Sequence, residues 1–168
     1  MQILRILIIF LLLGIPVQAQ NPWVVRTDGV GPVKVGMSLA QLNTAVHDHF
    51  SMPKEKGDQG CFYANPRNHP QVAFMIEDGH LVRVDVTKRG IQTADGVQVG
   101  DSEARAKQIY GSKLEVAPSQ YSGDEGGHYL TLRSSDGRYG FRFETEKGKI
   151  TTFYSGTYAA IRYVEGCE

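Results

Sequence analysis

Histidines and paired acidic residues are the side chains of this sequence whose types could support acid–base or metal chemistry. His47 and His49 lie two positions apart in a segment predicted to be helical, so their side chains point to different faces. Zinc ligands on a helix are instead spaced three or four positions apart. The pattern predicts no metal site, and no motif in the sequence indicates a cofactor.

The segment GDEGGH at 123–128 brings Asp124, Glu125 and His128 together just before a predicted strand. Its acidic residues lack the alternate spacing of a calcium-binding loop. A small secreted hydrolase-type enzyme with its site near His128 stays an alternative. A position of His128 within hydrogen-bonding reach of Asp124 or Glu125, inside a closed pocket, would favour that alternative.

Two pairs of carboxylates, Glu77 with Asp78 and Glu144 with Glu146, have the residue types of a glycosidase acid and base. Both pairs flank predicted turns, where acidic residues are common. The sequence also contains no nucleophile-elbow motif and no glycine-rich phosphate loop. Catalysis is therefore not indicated, and a non-catalytic protein is the preferred interpretation.

The first 19 residues have the composition of a secretory signal peptide. Arg5 precedes an apolar run from Ile6 to Ile15, and a small-residue segment ending at Ala19 supplies a cleavage site. The uninterrupted run is about half the length that spans a bilayer. The sequence predicts export to the periplasm or the medium, with no membrane insertion after cleavage.

Removal of that segment leaves 149 residues, with 17 basic and 18 acidic side chains spread along the chain. A chain of this length forms one domain or two small subdomains that share a core. Nucleic acid is not an expected partner, because binding phosphates requires a concentrated basic surface. The expected partner is another protein, and we expect the molecule to be a monomer.

Cys61 and Cys167 are the two cysteines of the sequence. In an oxidising compartment they are expected to form a disulfide that joins the end of the chain to its first half. Closing a loop of this length stabilises a fold by up to about 4–5 kcal/mol through the entropy of the unfolded chain. The alternative is a thiol nucleophile, but no histidine lies nearby in the sequence.

A sequence motif occurs twice, as VKVGMSLAQL at 33–42 and as VQVGDSEARA at 97–106. In each copy a glycine stands two positions before a serine, and serine is typical of a helix N-cap. Gln41 can complete a capping box with Ser38, whereas the second copy has no glutamine three positions after Ser102. The motif predicts two helices, which begin just after these serines.

Apolar residues continue a helical pattern after each serine. Pro53 limits the first predicted helix, and Gly111 ends the second. The predicted apolar stripes are Leu39, Leu42, Val46 and Phe50 on the first helix, and Ala106, Ile109 and Tyr110 on the second.

Alternating segments typical of antiparallel strands follow each predicted helix. Hairpins are predicted around Asp78-Gly79 and around Lys147-Gly148, with shorter strands before them at 61–64 and 128–133. The sequence therefore predicts an α+β fold of two pseudo-repeats, each a helix packed on an antiparallel β-meander. The first spans residues 20–90, with Trp23 and Val25 adding an edge strand, and the second spans residues 91–168.

The motifs Val35-Gly36-Met37-Ser38 and Val99-Gly100-Asp101-Ser102, each followed by an antiparallel sheet, resemble a fold known from exported bacterial proteins. It is the fold shared by beta-lactamase inhibitory proteins and the SmpA/OmlA outer-membrane assembly lipoproteins. The inhibitory proteins are also built from two tandem copies. The resemblance implies a tandem fold that binds another protein, as an inhibitor or as an envelope-assembly scaffold. The ending VEGC is similar to that of exported proteobacterial proteins, which implies the same compartment.

Strand alternation predicts a sheet face turned away from the helices that mixes arginine with aromatic residues. Arginine and tyrosine are enriched at protein–protein hot spots. We expect a periplasmic binding or inhibitor module that uses this exposed face. The expected partner-binding residues are Arg83, Tyr129, Arg133, Arg142 and Phe153.

Overall fold

The computed structural model describes residues 23–54 and 60–167, so the predicted signal peptide at 1–19 lies outside the described residues. The described chain has an α+β architecture, with two antiparallel sheets and two α-helices. None of its helices is both long enough and apolar enough to cross a bilayer.

A small three-stranded sheet opens the described chain. Its antiparallel strands are β1 (Val25–Arg26), β2 (Gly29–Val30) and β3 (Val33–Lys34). Val25 was predicted to add an edge strand to the first meander, but it belongs to this separate sheet, and Trp23 lies outside any strand. Strands of two residues satisfy few backbone groups, and the sheet is held by its buried valines, which join the main core.

The large sheet has seven strands in the order β4-β5-β6-β10-β9-β8-β7, and every neighbouring pair is antiparallel. The last strands of the two predicted meanders, β6 and β10, pair at its centre, so the two halves form one continuous sheet. The strands are β4 (Cys61–Ala64), β5 (Val72–Glu77), β6 (His80–Val86), β7 (Leu114–Pro118), β8 (His128–Arg133), β9 (Tyr139–Glu146) and β10 (Lys149–Thr157).

Helix α1 (Leu39–Val46) begins as the sequence predicts. The Ser38 hydroxyl accepts a hydrogen bond from the Gln41 amide (3.4 Å), and the Gln41 side chain accepts one from the Ser38 amide (2.9 Å). The helix ends well before Pro53, because His47 adopts a left-handed conformation with φ of 53°. Phe50 therefore lies beyond the helix, although it still packs against the core.

Helix α2 (Glu103–Tyr110) also begins at its predicted serine. The Ser102 hydroxyl accepts from the Arg105 amide at 3.1 Å, and the helix ends at Gly111. Tyr110 is buried, but Ile109 is 36% exposed, so its predicted place on the apolar stripe is wrong.

Each helix start is bonded to a hairpin, and the bonding pattern is the same at both. The bonds are Gly36 N to Leu81 O (2.8 Å) and Leu39 N to Gly79 O (3.2 Å) at α1, and Gly100 N to Ile150 O (2.8 Å) and Glu103 N to Gly148 O (2.9 Å) at α2. The glycines before the two serines have φ of 90° and 87°, a conformation that other residues rarely adopt.

One hydrophobic core joins all of these elements. It lies between the helices and one face of the large sheet, and it includes Leu42 of α1, Tyr110 of α2 and Val25 of the small sheet. Packed aromatic rings from β9 and β10 fill its second half, with the ring centroids of Phe143 and Phe153 5.4 Å apart. The two halves of the chain therefore share their buried apolar surface.

The opposite face of the large sheet is covered by the end of the chain. Residues 158–167, here called the C-terminal cover, follow β10, and a short 3-10 turn at Ala160–Arg162 packs on the central strands. The cover ends at the predicted disulfide between Cys61 and Cys167, which is present. A strand at one edge of the sheet thus holds the end of the chain.

Candidate binding surface

The predicted sheet face is largely closed by the C-terminal cover and by its own stacked side chains. Arg83 is 2% exposed, Tyr129 7% and Arg142 8%, so the predicted exposure of these three residues is wrong. Arg133 is exposed, as predicted. The sequence pattern identified the correct face for these residues but gave no sign that the chain returns across it.

Phe153 points to the other face of the sheet, where it is fully buried in the core. The register of β10 against β9 shifts between Ile150 and Thr152, which is a β-bulge. The extra residue reverses the alternation after it. Simple counting from Ile150 therefore assigned Phe153 to the wrong side.

Arg83 is the centre of a buried polar network under the cover. Its guanidinium donates to both carboxylate oxygens of Asp85 (2.7 and 2.9 Å) and to the hydroxyl of Tyr63 (2.7 Å). It also donates to the Ala160 carbonyl (3.0 Å) and lies 4.3 Å from the centroid of the Tyr154 ring. Burial raises the pKa of Asp85 above its ordinary value, although Arg83 and Tyr63 both donate to the carboxylate. Arg83 thus ties the cover to the sheet.

Arg142 is buried beside this network but has fewer partners. Its Nε donates to the Thr131 hydroxyl (3.3 Å), and its Nη1 donates to the Arg162 carbonyl in the cover (3.2 Å). The guanidinium stacks 4.7 Å above the Tyr129 ring. Burial lowers the pKa of Arg142, and the nearby charge of Arg162 lowers it further. Among the described residues Arg142 forms no ion pair.

Two further arginines stack on a single ring at the edge of the cover. The guanidinium carbons of Arg133 and Arg162 lie 4.3 Å and 5.5 Å from the centroid of the Tyr158 ring. Both arginines are exposed, and neither forms an ion pair within the described part of the chain. Stacking on an aromatic ring holds a guanidinium in place while its N–H groups stay available.

These side chains form one surface, here called the arginine–tyrosine cluster. Its members are Tyr129, Arg133, Arg142, Tyr158 and Arg162. Glu144 is the carboxylate that acts on Arg142, but burial raises the pKa of Glu144, and its side chain is hydrogen-bonded to Tyr154. Within the described residues none of the three arginines of the cluster forms an ion pair.

Sequence reasoning found three members of the cluster and missed Tyr158 and Arg162. The two missed residues lie in the C-terminal cover. Its sequence has no apolar periodicity that would predict a helix or a strand there. Tyr158 and Arg162 lie four positions apart, a spacing that brings two side chains together when the chain forms a helical turn. This spacing is the signal in the sequence that links them.

His128 lies beside a different carboxylate from the two that the sequence suggested. Its Nδ1 lies 3.0 Å from Glu103 Oε2, rather than bonding to Asp124 or Glu125. The Thr145 hydroxyl donates to the same carboxylate oxygen (2.9 Å), and Lys107 pairs with the other oxygen. Burial alone would raise the pKa of Glu103, but the bonds from Lys107, His128 and Thr145 outweigh it and lower the pKa. These contacts hold the start of α2 against β8 and β9.

Other acidic and histidine side chains of the described chain give no arrangement that could hold a metal ion. In residues 23–54 and 60–167, no group of three or more His, Cys, Asp or Glu side chains is placed to hold a metal ion. A polar cleft between the turn after β1 and the turn after β8 is lined by Arg26 and Arg138, but each of these arginines is paired with an aspartate two positions away. The arginine–tyrosine cluster is therefore the strongest candidate surface.

The chain matches no protein-family model, no curated protein and no solved structure. The resemblance to beta-lactamase inhibitory proteins and SmpA/OmlA lipoproteins therefore stays a prediction.

Proposed function

We propose that this protein is an exported, non-catalytic module that binds another protein through the arginine–tyrosine cluster. The observation that carries the proposal is the pair of exposed guanidiniums, Arg133 and Arg162, stacked on one tyrosine ring without an ion-pair partner in the described chain. Arginine and tyrosine dominate protein–protein hot spots because they combine large contact area with polar groups.

The surroundings of the cluster support a rigid contact surface. Two of its members, Arg142 and Tyr129, are almost fully buried, and the disulfide at Cys167 fixes the far end of the cover. A surface that is already ordered loses little side-chain freedom on binding, which favours affinity. The sequence predicts a binding face on the open sheet. The proposed face instead includes the C-terminal cover that lies on that sheet.

The organisation of the chain supports the same proposal. The two helix starts bond to their hairpins in the same pattern, and we interpret this as a tandem of two pseudo-repeats joined at β6 and β10. The disulfide is typical of an oxidising compartment, in agreement with export to the periplasm or the medium. An inhibitor of a periplasmic enzyme or effector, or an envelope-assembly scaffold, fits this description.

Capture on the immobilised oxidised protein tests the proposal. The Arg133→Gln/Arg162→Gln variant should lose the protein that the wild type captures from the extract of the native compartment. The Arg105→Gln variant is the matched control, because Arg105 is an exposed arginine of α2, away from the cluster, and is paired with Asp101. Equal capture by all three proteins would contradict the proposal, provided that their unfolding curves coincide.

A further inference from the structure

The arginine–tyrosine cluster has the chemistry of a receptor for carboxylate groups. We propose that its partner is an acidic protein segment, which places an aspartate or glutamate side chain against Arg142 and Arg162. This inference rests on the proposed function and specifies the partner's chemistry. A guanidinium N–H group that donates to a carboxylate oxygen forms a charge-assisted hydrogen bond, which is among the strongest polar contacts that proteins form.

Arg142 has donor capacity that the described chain leaves unused. Two of its nitrogens are engaged, by Thr131 and by the Arg162 carbonyl, and its third nitrogen, Nη2, has no hydrogen-bond partner among the described residues. The one fully buried side-chain nitrogen or oxygen without a partner in the described chain is Oε1 of Gln71, so Nη2 of Arg142 keeps some contact with solvent. A nearly buried guanidinium with a free, accessible N–H group is a site for an incoming acceptor.

The charge around Arg142 selects an anion. Arg142 Nη1 donates to the Arg162 carbonyl (3.2 Å), and the charge of Arg162 lowers the pKa of Arg142, as expected for neighbouring cations that repel each other. A carboxylate placed between them would relieve this repulsion and satisfy both. The guanidinium carbon of Arg133 lies 4.3 Å from the centroid of the Tyr158 ring, so Arg133 adds a third positive charge to the same surface.

A protein segment fits the cluster better than a nucleic acid. The chain has equal numbers of basic and acidic residues, and the cluster supplies three arginines rather than an extended basic surface. Recognition of a polyphosphate backbone requires many such contacts. The tyrosine rings of the cluster instead offer apolar contact area beside the charges, as in protein interfaces.

Binding of hexaglutamate, hexaglutamine and inorganic phosphate to the oxidised protein tests the inference. Guanidinium and amide chemical shifts followed by NMR should move at Arg133, Arg142 and Arg162 with hexaglutamate, and the affinity should fall as salt is added. The Arg133→Gln/Arg162→Gln variant should bind hexaglutamate at least tenfold more weakly than the wild type. The Arg105→Gln variant should bind hexaglutamate as the wild type does, because the arginine that it replaces is exposed and already paired with Asp101.

The inference would be overturned by equal binding of hexaglutamine, by equal binding of inorganic phosphate, by hexaglutamate shifts confined to residues outside the cluster, or by failure of hexaglutamate to bind. Failure of hexaglutamate with retained, cluster-dependent protein capture would show that the partner is recognised through other chemistry, so the proposed function would survive. If the Arg133→Gln/Arg162→Gln variant captured the partner as well as the wild type does, the proposed function itself would be contradicted.

Discussion

Single arginine residues on the covered face of the sheet have different roles according to their partners. Arg83 is paired with Asp85 and bonded to the cover, whereas Arg133 and Arg162 stack on tyrosine and keep free N–H groups. The first arrangement stabilises the fold, and the second is available to a partner. Residue type alone does not separate these roles, because both depend on which carboxylate and which carbonyl groups the fold brings near.

Arg83→Met is expected to destabilise the protein strongly. The substitution removes the cation from a buried carboxylate, and breaking a buried ion pair in this way costs about 3–5 kcal/mol. Chemical denaturation measures the loss. The matched control, Arg105→Gln, breaks an exposed pair and should cost no more than about 1 kcal/mol.

The same variant should show a defined pH dependence. Burial already raises the pKa of Asp85, and removal of Arg83 withdraws a group that lowers it. An acid whose pKa is higher in the folded state than in the unfolded state lowers stability as pH rises above the unfolded value. The deficit of Arg83→Met should therefore grow as pH rises from about 4 to about 7. A deficit that is constant over this range would show that Asp85 is not the source of the cost.

At the level of elements, the helix starts and hairpin turns are the parts that local sequence determines. Ser38 and Ser102 cap their helices, and the turns at Asp78-Gly79 and Lys147-Gly148 lie where the sequence predicts them. These features depend on residues within a few positions of one another. The bulge in β10 depends on pairing with β9, so alternation along one strand could not reveal it, and Phe153 was assigned to the wrong face.

Lys147→Asn is expected to stabilise the second hairpin. Lys147 has φ of 49°, the left-handed conformation that asparagine tolerates better than lysine, and Asp78 occupies the equivalent place in the first hairpin with φ of 48°. The gain in the free energy of unfolding should be about 0.5–1 kcal/mol. Thermal unfolding measures it, with the exposed Lys149→Asn in the flanking strand as the control. A loss of stability at position 147 would exclude this explanation.

For the whole molecule, the C-terminal cover determines which side chains of the sheet face are accessible to a partner. It crosses the sheet and ends in the disulfide to β4. Gly140 of β9 permits the close approach, because a methyl group there would lie 2.8 Å from Ile161 Cδ1 and would also meet the Leu132 carbonyl. The cysteine pair was predictable from composition, but the path of the chain between β10 and Cys167 was not, because it is set by contacts between residues far apart in sequence.

Replacement of both cysteines by alanine should loosen the cover and lower stability. The loop-closure entropy predicts a loss of up to about 4–5 kcal/mol in the free energy of unfolding. Limited proteolysis of this variant with trypsin should show faster cleavage after Arg162, in the cover, than the oxidised wild type shows. Cleavage after Arg105, in α2 of the same sample, is the internal control. If cleavage after Arg162 stays as slow as in the oxidised wild type, the network around Arg83 holds the cover without the disulfide.

The dissociation constant of the captured partner tests the central proposal most directly. It should be compared for the wild type, Arg133→Gln/Arg162→Gln and Arg105→Gln, all oxidised and with matching unfolding curves. Binding through the arginine–tyrosine cluster predicts that the double variant binds at least tenfold more weakly, a change of about 1.4 kcal/mol, while Arg105→Gln is unchanged. The same dissociation constant for all three proteins would contradict it.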